Sequence, residues 1–230
     1  MPAGGTGLVL RGLRKEPATI GKWHLGWDLT YKEGKAKTVD NIDFTKRVAN
    51  GPTDRGFDYF YGLTSPSGPP HLYMVNDMAE KQPNTRFEES GGGLYKIKGG
   101  IGHSDWSADG MQPHLADKML EYLDENKDSD KPFFLYMALT APHIPLFPSK
   151  EFKGKSKIGD YGDLVMMIDD IVGRVNRKLK EIGKYDNTIV MFAADNGCAG
   201  YINMDRINRK GHYPSYIYRG YKSHGWEGGH

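Results

Sequence analysis

A lysine and a histidine stand two residues apart near the start of the chain. Lys22 and His24 lie in the stretch 21–26, which follows a short apolar segment and begins and ends with glycine. Residues two positions apart on an extended strand point to the same face, so this pair can share one pocket, and the glycines on both sides allow the chain to bend there. A lysine can neutralise an anion, and a histidine can donate a proton to a reacting oxygen or accept one from it. The alternative is a surface lysine beside a core histidine.

Three further groups of polar side chains follow apolar runs or lie among glycines. Asp195 and Asn196 end an apolar run and carry the oxygen atoms that calcium or magnesium prefers, although Asp-Asn-Gly also favours a plain turn. His143 lies between prolines, which hold the backbone extended; a buried histidine bonded to the backbone is the alternative. Lys222 lies in a glycine-containing loop that can approach a ligand, and a solvated basic loop is the alternative there.

Apolar periodicity predicts the elements that would carry these residues. Residues 18–21 predict a brief strand, and the continuous apolar runs 132–139 and 187–194 predict strands buried on both faces. Helices are predicted over residues 8–16, from Met111 to the charged run 124–131, and over residues 160–182, where Gly183 would close the helix. Residues 74–110 show little periodicity, and we interpret them as an excursion over the surface.

Strands alternating with helices indicate an α/β fold. Buried strands favour βαβ units and a largely parallel sheet flanked by helices. Ligands of such sheets gather beyond the carboxyl ends of the strands. His24, His143 and Asp195 each follow a predicted strand, so we expect them to open onto the same edge. We find no internal repeat or linker and expect one domain over residues 1–230.

Composition excludes several classes of protein for this sequence. A hydrophobic fraction of 38% suffices for a packed core, and no apolar stretch reaches the roughly 20 residues of a membrane span. The first residues lack the basic head and apolar stretch of a secretory signal. A single cysteine, Cys198, excludes an internal disulfide and a multi-cysteine zinc site. Lysine and arginine outnumber acids in residues 1–50 and 201–230, which favours an anionic ligand; chance clustering explains this equally well.

Taken together, these motifs resemble the sulfatase family of the alkaline-phosphatase-like superfamily. The similar segments follow family order from about residue 8 to the end of the chain, at residues 21–26, 56–62, 133–145, 169–174, 194–197 and 222–229. The resemblance implies hydrolysis of organic sulfate esters, as in arylsulfatases, with a sulfated small molecule or glycan as substrate and no nucleic acid. It also implies the roles of the site residues. Lys22 and His24 would contact the nucleophile, His143 and Lys222 would hold the sulfate, and Asp195 and Asn196 would ligate calcium.

The family pattern is incomplete in this sequence. Sulfatases attack sulfur with a hydrated formylglycine made from the first residue of Cys-x-Pro-Ser-Arg or Ser-x-Pro-Ser-Arg, and neither motif occurs here. The first strand, with the acidic pair that completes the calcium site, and the C-terminal subdomain are missing as well. We therefore expect a fragment of a sulfatase that is inactive by itself and exposes an unpaired sheet edge. A natural short paralogue without activity is the alternative.

Two other functions stay open at this point. One is a phosphodiesterase or phosphonate hydrolase of the same superfamily, and the other is a non-catalytic module that binds sulfated polysaccharide. Loops such as residues 63–110 set specificity in this family, and His71, Tyr73 and Trp106 are candidates there by residue type. Calcium-dependent sulfatases are often exported, so the resemblance is compatible with a periplasmic, extracellular or lysosomal location.

Overall fold

The computed structural model describes residues 16–229, and all statements below refer to these residues. Short strands and two long helices form the regular part of the chain. Their bounds are β1 Glu16–Lys22, β2 Tyr59–Leu63, β3 Met74–Val75, β4 Met78–Ala79, β5 Thr85–Phe87, β6 Gly100–Gly102, α1 Met111–Glu125, β7 Phe133–Ala138, α2 Asp160–Glu181 and the one-turn α3 Met204–Asn208.

The main sheet has five strands in the order β4-β3-β2-β1-β7. Strand β1 pairs in parallel with β2 on one side and with β7 on the other, while β3 and β4 continue the sheet antiparallel. Strands β5 and β6 form a separate antiparallel pair. The predicted α/β fold with a largely parallel centre is confirmed.

The two faces of the main sheet are covered differently. Ala18, Ile20 and Tyr61 face a core cluster that includes residues of α1 and α2, because alternate residues of a strand share one face. Phe60 and Met74 face a second cluster, which is filled by the irregular segment between β1 and β2. The helices therefore cover one face of the sheet, and shaped loops cover the other.

Both long helices agree with their sequence periodicity. Helix α1 begins at Met111 and ends at Glu125, and α2 ends at Glu181, close to Gly183 with its positive φ of 68°. Neither described helix is both long and apolar enough to cross a membrane. The helix predicted over residues 8–16 lies outside the described residues except for Glu16, where β1 begins.

The strand predicted over residues 187–194 is wrong for the described structure. Residues 188–194 carry no strand, and Ile189, Met191 and Phe192 are 90%, 89% and 72% exposed. Strand β7 forms as predicted but is not buried on both faces, since Tyr136 is 52% exposed. Both errors have one cause, which is that no strand pairs with the outer edge of β7 among residues 16–229. In this range, strand β7 is the last strand of its sheet, and residues 188–194 have no hydrogen-bonded neighbour strand. An apolar run shows a tendency to pair but cannot supply the partner.

Sequence periodicity also missed the strands on the other side of β1. Strand β2 lies in an aromatic segment without alternation, and residues 74–110 hold four short strands rather than a simple surface excursion. His71, Tyr73 and Trp106, the candidates chosen by residue type, are at most 5% exposed and so offer a ligand little surface. His71 packs against Trp106 with ring centroids 4.5 Å apart, and its Nε2 lies 2.7 Å from the Lys98 carbonyl oxygen. These side chains build the core instead.

Candidate functional site

The site begins where β1 comes unusually close to β7. Gly21 has a φ of +132°, and a Cβ built on it would lie 2.0 Å from the carbonyl oxygen of Ala138. No residue with a side chain fits that space. Lys22 ends β1 and is half-buried, and of the two residues that follow, Trp23 is only 7% exposed and His24 is exposed. The alternative of a core histidine is therefore wrong, because Trp23 takes the core position.

Lys22 and His24 lie close enough to perturb each other. Burial lowers the pKa of the Lys22 ammonium, which the nearby carboxylate of Asp195 raises and the ammonium of Lys222 lowers further. The pKa of His24 is lowered mainly by the charge of Lys22, then by burial and by His143. The His24 imidazole is therefore largely uncharged at neutral pH, since its pKa lies below the ordinary 6.5.

His143 is exposed after β7 and is held by the backbone. Its Nδ1 lies 2.6 Å from the carbonyl oxygen of Ile144. A carbonyl oxygen only accepts hydrogen bonds, so Nδ1 carries the proton and Nε2 is left to face a ligand. The Tyr201 hydroxyl accepts from the Ile144 amide at 3.4 Å, and burial, with smaller contributions from Cys198 and Asp195, raises the pKa of that hydroxyl. Tyr201 thus contacts the residue next to His143, and no sequence pattern pointed to it.

Asp195 and Asn196 form the turn that their sequence favours. The Asn196 amide nitrogen donates to the Asp195 carboxylate at 2.9 Å. Gly197 fits tightly behind this turn, since a Cβ there would lie 1.8 Å from the carbonyl oxygen of Gly228. The loop 219–229 is thereby packed against the turn, and the amide of its Lys222 donates to the Cys198 carbonyl at 2.9 Å.

Five sequence-predicted residues converge at one place. The charge of Lys22 interacts with Asp195 and Lys222, and that of His24 with Lys22 and His143. Lys22 is the last residue of β1, His24 and His143 follow β1 and β7, and Asp195 and Lys222 come from loops that carry no strand. The five side chains comprise two ammonium groups, two imidazoles and one carboxylate, so the cluster suits an anion.

A complete calcium site is not formed by the described residues. Residues 16–229 contain no group of three or more histidine, cysteine, aspartate or glutamate side chains that could hold a metal ion. Calcium takes six to eight oxygen ligands, whereas Asp195 and Asn196 offer two side chains, already bonded to each other. These two residues alone do not fit the ion.

Cys198 does not supply a nucleophile beside the pocket. Burial raises the pKa of its thiol, and its Sγ lies 3.2 Å from the Tyr161 hydroxyl. A reactive cysteine needs an electropositive setting that lowers its pKa, because the thiolate is the attacking form. The thiol packs against α3 and Tyr161 instead.

Comparison with known proteins identifies the family. The sequence matches the family model named Sulfatase over residues 9–230. The chain belongs to the sulfatase family. This sulfatase chain is 28% identical to the N-acetylgalactosamine-6-O-sulfatase of Bacteroides thetaiotaomicron. The alignment covers 91% of this chain and 46% of that relative. It is 31% identical to the N-acetylgalactosamine-6-sulfatase of Sus scrofa, over 83% of the chain and 32% of the relative.

Solved structures agree with this assignment. A Bacteroides thetaiotaomicron structure described with the metabolism of multiple glycosaminoglycans aligns with a TM-score of 0.75 at 26% identity, over 96% of this chain and 51% of that one. Ps i-CgsB in complex with k-i-k-neocarrahexaose aligns with a TM-score of 0.62 at 20% identity, over 100% of this chain and 48% of that one, which supports the fold alone. The sulfatase chain therefore spans about half or less of the length of these relatives.

Proposed function

We propose that this chain forms the sulfate-binding part of an enzyme that hydrolyses sulfate esters of glycans. The observation that carries the proposal is the convergence of Lys22, His24, His143 and Lys222 at the edge of the sheet. A tetrahedral anion placed among them would meet two ammonium groups and two imidazole rings. The names of the N-acetylgalactosamine-6-sulfatase relatives support a sugar as the alcohol part of the ester.

The charged residues would act on the sulfate oxygens. Lys22 and Lys222 offset the charge that builds on these oxygens when the sulfur–oxygen bond breaks, and a half-buried ammonium does so more strongly than an exposed one. Uncharged His24 can accept a proton from the attacking group. His143, once protonated at Nε2, can donate that proton to the departing alkoxide, since its Nδ1 is already held by Ile144.

The chain on its own would bind sulfate esters without turning them over. It contains no Cys-x-Pro-Ser-Arg or Ser-x-Pro-Ser-Arg motif from which formylglycine is made. Asp195 and Asn196 would supply two side chains to a calcium ion, which takes six to eight oxygen ligands and so needs others. The proposed unit of structure is a partial sulfatase catalytic domain over residues 1–230.

Binding of inorganic sulfate to the 230-residue chain tests the pocket. Calorimetry or nuclear magnetic resonance should detect sulfate binding that weakens about tenfold in Lys222→Met, because one charge-assisted contact is worth about 1.5 kcal/mol. Lys127→Met is the matched control, since exposed Lys127 lies between α1 and the start of β7, at the opposite end of the strands. Equal sulfate affinity in both variants would remove the proposed pocket.

Turnover is tested separately on the complete gene product. Co-expressed with a formylglycine-generating enzyme, it should hydrolyse p-nitrophenyl sulfate, whereas the 230-residue chain should not. The phosphate diester bis(p-nitrophenyl) phosphate is the matched substrate for a phosphodiesterase, and p-nitrophenyl phenylphosphonate is the matched substrate for a phosphonate hydrolase. Faster release from the phosphate ester, or equal and negligible rates with and without the modifying enzyme, would refute sulfate ester hydrolysis.

A further inference from the structure

An arginine and a tryptophan contact each other in the loop that carries Lys222. The guanidinium carbon of Arg219 lies 4.1 Å from the ring centroid of Trp226. Both side chains are exposed, with 47% of Trp226 accessible to solvent. Lys222, which the proposed function assigns to the sulfate, stands between them in the same loop.

This loop is fixed relative to the pocket by backbone hydrogen bonds. The Lys222 amide donates to the Cys198 carbonyl at 2.9 Å, and the Gly228 amide donates to the Arg219 carbonyl at 2.9 Å. The second bond closes the loop on itself, and the first holds it against the turn that carries Asp195. The stacked pair therefore keeps a defined distance from the pocket.

The Arg219 side chain is available for a ligand. Among residues 16–229, the arginines seen in ion pairs are Arg47, Arg86, Arg174 and Arg177, so Arg219 is not one of them. Its guanidinium instead lies over the Trp226 ring. A guanidinium that lies over an aromatic ring can still donate two parallel hydrogen bonds to a carboxylate or sulfate. An exposed arginine arranged in this way is prepared for an anion.

An aromatic surface precedes Arg219 directly. Tyr216, Ile217 and Tyr218 are 80%, 75% and 58% exposed. Tyr216 has a positive φ of 49°, a conformation that is sterically unfavourable for a bulky side chain. Flat exposed rings of this kind offer apolar area to the C–H faces of a sugar at low cost in side-chain entropy.

We propose that Arg219 and Trp226, with Tyr216 and Tyr218, form a subsite for a second anionic group on the glycan. This group, a carboxylate or another sulfate, would lie on the sugar next to the one whose sulfate enters the Lys22–Lys222 pocket. The inference rests on the proposed function and narrows its substrate class to polyanionic glycans. The exposed tyrosines would stack on the sugar rings between the two anions.

The test compares two probes on the 230-residue chain. Inorganic sulfate reports on the pocket alone, and a chondroitin 6-sulfate hexasaccharide reports on pocket and subsite together. Arg219→Ala should weaken hexasaccharide binding about tenfold or more and leave inorganic sulfate binding within twofold, because only the longer ligand reaches Arg219. Arg209→Ala is the matched control, an exposed arginine without an aromatic partner, and should change neither affinity.

The outcomes separate this inference from the proposed function. Equal hexasaccharide affinities of Arg219→Ala and Arg209→Ala would overturn the subsite, as would sulfate binding without any hexasaccharide binding. Arg219-dependent hexasaccharide binding with no binding of inorganic sulfate would retain the subsite and refute the pocket. A hexasaccharide with its carboxyl groups reduced to alcohols identifies the anion: loss of the Arg219 effect assigns the carboxylate, and persistence assigns a second sulfate.

Discussion

Replacing Gly197 with alanine should separate the turn 195–197 from the loop 219–229. A Cβ at Gly197 would lie 1.8 Å from the carbonyl oxygen of Gly228, and real Cβ contacts are essentially never shorter than 3.0 Å. The two backbones must therefore part by about 1.2 Å, because neither atom belongs to a flexible side chain. The 3.2 Å hydrogen bond from the Gly197 amide to the Gly229 carbonyl is lost in the process.

The size of the effect follows from these two contacts. A lost hydrogen bond costs about 1 kcal/mol, and overlap that is only partly relieved adds about 1 kcal/mol or more. A total of about 2 kcal/mol corresponds to roughly 30-fold faster local opening. The increase in local opening should appear as faster amide hydrogen exchange at Lys222. The Lys222 N–H is hydrogen-bonded to the Cys198 carbonyl across the same contact.

Gly225→Ala is the matched control in the same loop. A Cβ at Gly225 meets no atom within 4 Å, so this variant should exchange at Lys222 at the wild-type rate. Equal exchange rates at Lys222 in Gly197→Ala and Gly225→Ala would refute the predicted separation of the turn from the loop. A large opening with unchanged sulfate affinity would refute it too, because the packing of this loop is expected to hold Lys222 at the pocket.

Three further predictions follow from the structure. Lys22→Met should raise the pKa of His24 in a histidine NMR titration, since the charge of Lys22 is the largest cause of its lowering; an unchanged midpoint would contradict their proximity. Met119→Ala should lower the free energy of unfolding by about 2–5 kcal/mol in urea, because Met119 is fully buried, whereas Met166→Ala, 42% exposed, should cost less than about 0.5 kcal/mol. Met191→Lys should reduce binding of an apolar fluorescent dye and aggregation without changing the urea midpoint, since this side chain is 89% exposed; an unfolded variant would show that Met191 packs against the core.

The lowered pKa of His24 also sets the direction of a pH effect. The unfolded chain binds more protons than the folded chain between the lowered value and the ordinary 6.5. The contribution of His24 to stability is therefore present above pH 6.5 and is lost as the pH falls through that window. Urea unfolding of Lys22→Met should show less of this acid sensitivity than the wild type, because the largest cause of the shift is gone.

Helices were predictable because their signal is local. The apolar residues of α2 recur every three or four positions, and that spacing by itself selects the helix and its buried face. Strand β1 could be predicted from its apolar segment, and the site residues could be named from their types and neighbours. Residues 188–194 have the same apolar character but form no strand, since a strand exists only with a partner, and pairing is a property of two segments.

The sequence alone thus determined which residue types the pocket contains, namely Lys22, His24, His143, Asp195 and Lys222. Their convergence was decided by tertiary structure, through the close approach of β1 to β7 at Gly21 and of the two turns at Gly197. The same holds for Arg219, whose sequence shows only a basic residue and whose stacking on Trp226 requires the loop to close. Residue types determine which interactions are possible, and distances between segments far apart in the chain determine which of them occur.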